Sequence, residues 1–278
     1  MTERSQTPAG PVPEGAASGR PGPRVDDAEK AGGQDFWQEL RRSTPARIGL
    51  GRAGDALPTA RVLELRSAHA VARDAVHTPL DVDDLAMRVA AVGLGEPVRV
   101  TSRARDRAEY LRRPDLGRLP EDADSVLVPR GNADVGFVLA DGLSSQALTA
   151  HGPALLAALA EALAPRWTLA TPVIATQARV ALGDHLGAAM GVRTVLVLIG
   201  ERPGLSVADS LGIYLTHRPR PGRTDAERNC VSNIHPPAGL GYRQAAAVVA
   251  RLISGAHTLG RSGVDLKDQS GAAAVERG

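Results

Sequence analysis

From Asp124 to about Pro219 the sequence keeps returning to one pattern: short, nearly unbroken apolar runs bounded by glycine or proline, separated by stretches of helical period. The runs are SVLVPRG, DVGFVLADG, TPVIATQARV, TVLVLIGERPG and SLGIYLTHRP, and helices are expected over Ser145 to Leu163 and Val180 to Met190. A strand that is apolar at every position, not at alternate ones, is buried on both faces. Such strands alternating with helices build a mostly parallel sheet flanked by helices. The expected fold is therefore α/β and Rossmann-like over residues 121–270. In sheets of this kind ligands lie beyond the carboxyl ends of the strands, so strand ends are the places to search for function.

The stretch before it, residues 35–120, reads as a small helical N-terminal region. DFWQELRRSTPARIGLGRAG sets Phe36, Trp37 and Leu40 on one helical face behind Asp35, then breaks at Ser43, Thr44 and Pro45. Val62, Leu65, Ala68, Ala72 and Val76 recur at spacings of three and four, which predicts a helix stopped near Pro79. DVDDLAMRVAAVGLG reads as a further short helix and SRARDRAEYLRRPDLGRLP as a charged helix ending before Pro114. Residues 1–34 are rich in Pro, Gly and small polar side chains, a composition that cannot repay the entropy of ordering, so a disordered tail is expected there and a flexible end over 271–278.

Composition narrows the function. Of 278 residues 43% are apolar, enough for a proper core, and 33 basic residues against 31 acidic ones are spread without a basic run. Aromatics are only 3%, too few for a stacking platform, so nucleic acid is not an expected partner. No apolar stretch approaches the ~20 residues of a membrane span, and the N-terminus lacks a signal-peptide apolar core. The single cysteine, Cys230, excludes an internal disulfide, and the histidines show no metal-ligand spacing, so no metal site is expected and the cytoplasm is the expected compartment.

Three stretches carry candidate chemistry. Glu201 and Arg202 stand at a strand tip before the Pro203–Gly204 turn, either bridged to each other at the sheet edge or turned to a ligand. In FVLADGLSSQAL a strand ends at Asp141, Gly142 allows a turn, and Ser144 or Ser145 either caps the next helix or faces a ligand. This segment is neither a G-x-S-x-G elbow nor a dinucleotide fingerprint. The third, TDAERNCVSNIHPPAGLGY, reads as a polar loop crowding Asp225, Glu227, Arg228, Asn229, Cys230, Asn233 and His235 together. There Cys230 is either a nucleophile or a small apolar contact.

Taken in order, FWQELRRSTPARIGLGRAG, RAEYLRRPDLGR, VLADGLSSQA, LIGERPGLSVADSLGIYLTHRP and ERNCVSNIH resemble the small (light) subunit family of ethanolamine ammonia-lyase, over about Phe36 to Lys267. The resemblance implies adenosylcobalamin as coenzyme, conversion of ethanolamine to acetaldehyde and ammonia, and pairing with a large barrel subunit in six heterodimers. It implies no catalytic residue in this chain and carries cobalamin contacts to Val180 in ARVALGD, Glu201 in GERPGL and Cys230 in RNCVSN. A D-x-H-x-x-G cobalamin motif is absent, since GDHLG sets Asp184 beside His185, in keeping with a coenzyme that retains its own base on cobalt. Some members carry an N-terminal address to a bacterial microcompartment; the Pro/Gly-rich tail, with no amphipathic helix, argues against it here. Two other readings stand beside this one: a free-standing α/β enzyme using Cys230 or Ser144, and a non-catalytic scaffold subunit.

Overall fold

The computed structural model describes residues 36–44, 46–121 and 128–267. The expectations for 1–34, for 271–278 and for Ser125 to Leu127 of the SVLVPRG run lie outside them. The chain divides into a unit ending at Arg61 and a unit beginning at Val62. In the first, residues 36–43 form helix α1, which ends where the sequence turns polar, with Ser43 Oγ donating to the Leu40 carbonyl at 2.8 Å. The Arg41 guanidinium then holds the following loop by donating to the carbonyls of Ile48 and Gly49.

Helix α2 (Thr59–His77) leads into α3 (Val82–Ala90), whose first turn is capped by the Asp81 carboxylate accepting from Asp84 N–H. Strand β1 (Val98–Thr101) and helix α4 (Arg107–Arg112) follow, with Asp106 as the cap of α4. The remainder alternates β2 (Val135–Ala140), α5 (Ser145–Leu163), β3 (Val173–Thr176), α6 (Leu182–Met190) and β4 (Thr194–Gly200). It closes with β5 (Leu211–His217), β6 (Asn229–Ile234) and α7 (Tyr242–Leu259). The sheet runs β1-β3-β2-β4-β5-β6; the first four strands are parallel, and β5 is antiparallel to both its neighbours.

The pleat sorts the core into two layers. Phe137, Leu139, Leu196 and Leu198 point to the side covered by α3, α5 and α7, while Val138, Ala140, Val195 and Val197 point to the side covered by α6. Every residue of β2 and β4 is buried, as their unbroken apolar runs require. On the α6 side, β5 presents Gly212, Tyr214 and Thr216, and β6 presents Cys230 and Ser232, both exposed. Helix α6 packs on β4 and β2, whereas α5 and α7 serve β5 from the other side.

The α/β expectation, with a mostly parallel sheet flanked by helices, matches this architecture. Four details differ. The stretch read as helical contributes an edge strand, β1; Val128 to Gly131 of the SVLVPRG run are not strand; and α6 begins at Leu182, so Val180 sits in the turn before it. The polar loop after Thr224 is largely β6, a strand buried only at Val231 and Ile234.

Candidate functional site

The carboxyl ends of β2, β3 and β4 meet around one buried acid. Asp141 follows the last residue of β2 and is 2% exposed; its carboxylate accepts the N–H groups of Gln177 and Ala178, each at 2.9 Å, and faces Arg107 at 3.4 Å. Burial pushes its pKa up, against the pull of the Ala178 N–H, Arg107 and the Gln177 N–H. The acid thus ties the turn after β3 to the end of β2. The next link is backbone: Leu143 N–H donates to the Gly200 carbonyl at 3.0 Å. A Cβ on Gly200 would stand 2.0 Å from the Ser144 carbonyl oxygen, so only glycine lets β4 approach the β2 turn this closely.

Ser144 caps α5, accepting from Ala147 N–H at 3.2 Å and donating to the Ala208 carbonyl at 2.8 Å. It is fully buried, and Ser145 donates to the Thr78 carbonyl. With its hydroxyl committed both ways, Ser144 is a cap, and among the described residues no base pairs with it.

The turn after β3 carries Gln177, Arg179 and Val180. Arg179 N–H donates to the Gly117 carbonyl at 2.8 Å, and its guanidinium lies 4.5 Å from the Tyr110 ring centroid, over which Arg107 also lies at 4.8 Å. Tyr110 is fully buried and donates to the Ala178 carbonyl, fixing the turn from below. Val180, half-buried, packs against the α6-side core together with Tyr214.

Glu201 continues past the tip of β4. Its carboxylate takes a 2.5 Å bond from Ser210 Oγ and contacts Asn233 N–H at 3.3 and 3.4 Å, while among the described residues it makes no ion pair with Arg202, which is exposed. The sheet-edge bridge between Glu201 and Arg202 is therefore not what holds this acid. Gly212 makes its position available: a Cβ there would come within 2.9 Å of Glu201 Oε1.

Cys230 is the cross-strand partner of Tyr214 and exposes its side chain. Partial desolvation against the sheet pushes its thiol pKa up, a Tyr214 hydrogen bond pulls it down, and the Glu201 charge raises it again. The same surroundings push the Tyr214 phenol up to about 12, desolvation first and Cys230 next. His235, the base nearest in sequence, bonds Asn233 Oδ1 at 2.8 Å. A thiol with a raised pKa and no histidine beside it is the reverse of an activated nucleophile.

Val180 and Glu201 line one pocket of about 430 Å³ with Tyr214 and Arg179; a second of about 590 Å³ shares Arg179, Val180 and Tyr214 with it. Cys230 joins them through Tyr214. All three residues singled out from the sequence therefore gather about one residue that was not, Tyr214, whose signal was a lone aromatic in the apolar run LGIYLTH. Among the described residues, Arg179 Nε and Arg228 Nε in the crevice lining lack a hydrogen-bond partner, as do the buried Arg107 Nη2 and Gln177 Oε1. Among the described residues no group of three or more His, Cys, Asp or Glu could hold a metal ion, and no helix is long and apolar enough to cross a membrane.

Fold and site define an α/β chain with an open crevice at its strand ends, where neither Ser144 nor Cys230 has a base paired with it among the described residues. A family model described as ethanolamine ammonia-lyase light chain (EutC) matches residues 34–267. The ethanolamine ammonia-lyase small subunit of Rhodococcus erythropolis is 65% identical over 244 residues, covering 88% of this chain and 94% of its own. That of Ralstonia nicotianae is 45% identical over 260 residues (91% and 96%), and that of Rhodopseudomonas palustris 50% over 237 (84% and 90%). The chain belongs to the ethanolamine ammonia-lyase light-chain family. It is a small subunit of a carbon–nitrogen lyase.

Proposed function

We propose that this chain holds adenosylcobalamin against a large barrel subunit, in an assembly of six heterodimers working in the cytoplasm, and that the assembly converts ethanolamine to acetaldehyde and ammonia. The observation that carries the reading is the convergence of Val180, Glu201 and Cys230 about Tyr214, which is half-buried, on a stretch of sheet where Cys230 is exposed. A corrin ring presents a broad apolar face fringed by neutral amides. Val180 and the Tyr214 ring suit the face; Glu201 suits the fringe, because Oε1 has only the long Asn233 contact and keeps acceptor capacity. Arg179, which lines the crevice and has an Nε without a partner among the described residues, adds a donor of the kind amide carbonyls accept from.

When bound, the coenzyme supplies radical chemistry. This chain's residues orient the ring and exclude water from it, and the substrate-handling groups belong to the large subunit. The occupied hydroxyl of Ser144 and the raised thiol pKa of Cys230 weigh against the free-standing enzyme.

Titration of adenosylcobalamin into complexes reconstituted with wild-type, Glu201→Ala and Glu201→Gln chains tests the reading. A hydrogen bond to a charged group is worth roughly 1.5 to 3 kcal/mol, so Glu201→Ala should raise the dissociation constant about tenfold to a hundredfold, and Glu201→Gln less. Unchanged affinity with a lowered melting temperature contradicts the reading and leaves Glu201 as a brace for Ser210 and Asn233.

A further inference from the structure

Along the α6 side of β5 the sheet carries a graded stripe. The Glu201 carboxylate lies over Gly212 at one end, Tyr214 stands in the middle, and Arg228 roofs Thr216 at the other, its guanidinium 3.4 Å from the Thr216 hydroxyl. Beyond Tyr214 the crevice turns cationic, with Arg118, Arg179, Arg223 and Arg228 lining it against one lining carboxylate, that of the exposed Asp225. Two of these are neutralised within the chain. Arg228 grips Asp184 with two bonds of 3.0 and 2.8 Å, both side chains 2% exposed, and Arg223 pairs with Glu227. The other two are not. Among the described residues, Arg118 is exposed and has no side-chain partner, and Arg179 has no carboxylate partner: its Nη2 reaches the Tyr110 carbonyl at 3.5 Å and its Nε is buried without a hydrogen bond. Arg228 Nε is likewise buried and unbonded, with only the outward-pointing Asp225 carboxylate 3.4 Å away.

Packing explains part of this arrangement, since Arg179 stacks on Tyr110. It does not explain Arg118, which has no side-chain partner among the described residues, nor why two guanidinium groups without carboxylate partners among those residues share one crevice. Guanidinium is the side-chain group whose planar fork matches phosphate oxygens. A ligand resting on Val180 and Tyr214 touches both halves, with the Glu201 carboxylate at one side and the guanidinium groups at the other. Cobalamin is asymmetric in the same sense: its corrin fringe is neutral amide, and its one anionic group is the phosphodiester in the arm that carries the lower base. An amide N–H is welcome at Glu201 and a phosphate is not; at the arginines the preference reverses.

We infer that the arginine-lined half of the crevice, Arg118 and Arg179 first, takes the phosphodiester of the coenzyme's nucleotide arm and so sets which way round the ring lies on Val180 and Tyr214. The inference rests on the proposal that this crevice holds adenosylcobalamin.

The test titrates two ligands, adenosylcobalamin and adenosylcobinamide, which keeps the corrin and adenosyl group but lacks the phosphodiester arm. Both go into reconstituted complexes carrying wild-type, Arg118→Gln, Arg179→Gln or Glu201→Ala chains. Each arginine variant should raise the adenosylcobalamin dissociation constant about tenfold and change that of adenosylcobinamide less than about twofold, while Glu201→Ala weakens both alike. Arg118 is exposed, so its variant keeps the comparison valid even where Arg179→Gln lowers the melting temperature. Equal losses for the two ligands, or no loss, in the arginine variants overturn the inference while leaving the Glu201 result intact. If Glu201→Ala moves neither ligand, the parent proposal fails. Binding of inorganic phosphate to the wild-type complex, without loss of adenosylcobalamin affinity in the arginine variants, assigns the guanidinium groups to a free anion and also overturns it.

Discussion

Strands β2 and β4 are buried at every position between α5 on one face and α6 on the other, whereas β6 buries Val231 and Ile234 and leaves Cys230, Ser232 and Asn233 exposed. The first pair lies in the parallel half of the sheet and β6 at its antiparallel edge, and what decides their burial is what covers them. The parallel half is completed by the chain's own helices and supplies the stability. In the antiparallel half α5 and α7 cover one side, while on the other Tyr214 is half-buried and Cys230 and Ser232 are exposed; Arg179 and Arg228, each with an Nε lacking a partner among the described residues, line the crevice beside Tyr214. Stability and binding are thus divided between the two halves, and each can be disturbed with limited effect on the other.

The largest effect should come from the covered half. Phe137 is fully buried in the layer under α5, and Phe137→Ala should destabilise the chain by about 3 to 5 kcal/mol in denaturant unfolding. A loss below about 1 kcal/mol would mean that this layer is not where the stability resides.

Coverage also decides what the sequence discloses. A strand buried on both faces must be apolar throughout, so β2, β4 and most of β5 are legible as runs of Val, Leu and Ile. Strand β6 is not, because NCVSNI keeps only its inward positions apolar and a polar surround hides them; β1, four residues at the sheet edge, is half-exposed at alternate positions for the same reason. Helix α7 carries a readable stripe, Ala245, Val249, Leu252, Ile253 and Ala256, to which the strand pattern gives no clue. At the site, Glu201 is legible as an acid at a strand tip. Val180 stands out only through the resemblance, and Cys230, legible as a lone thiol in a polar stretch, is tied to Glu201 only through it, because what brings Cys230 to the site is the register that pairs it with Tyr214, and pairing between strands distant in sequence is not written locally. Arg179 and Gln177 escape notice for the same reason.

A middle-sized effect belongs to the amino end of β4. Thr194 Oγ1 lies 3.0 Å from His217 Nδ1 and 3.3 Å from His257 Nε2, and burial, helped by His257 and nearby arginines, lowers the His217 pKa from 6.5 to about 4. Between those values the unfolded chain binds a proton that the folded chain refuses, so stability is present above pH 6.5 and is lost as pH falls towards 4. The loss is at most about 1.4 kcal/mol per unit of pKa separation. Melts at pH 7 and at pH 4.5 should show a steeper acid decline for wild type than for His217→Gln, and equal declines would remove His217 from the acid limb.

The smallest effect on stability should come from the bare half. Cys230→Ser should change the unfolding free energy by less than about 0.5 kcal/mol, since its side chain already meets solvent. In the reconstituted complex it should weaken adenosylcobalamin severalfold and preserve turnover at saturating coenzyme. Abolished turnover with normal binding would restore Cys230 as a nucleophile.

Because Cys230 is the chain's one cysteine, its own reactivity reports on the bare face. Alkylation by iodoacetamide at pH 8.5 can be followed on this thiol in the free chain, in the complex with the large subunit, and in that complex saturated with adenosylcobalamin. If the face beside Tyr214 holds the coenzyme, the thiol reacts in the free chain and is protected in the loaded complex. Alkylation as fast in the loaded complex as in the free chain would show that this face stays open to solvent and that the coenzyme lies elsewhere.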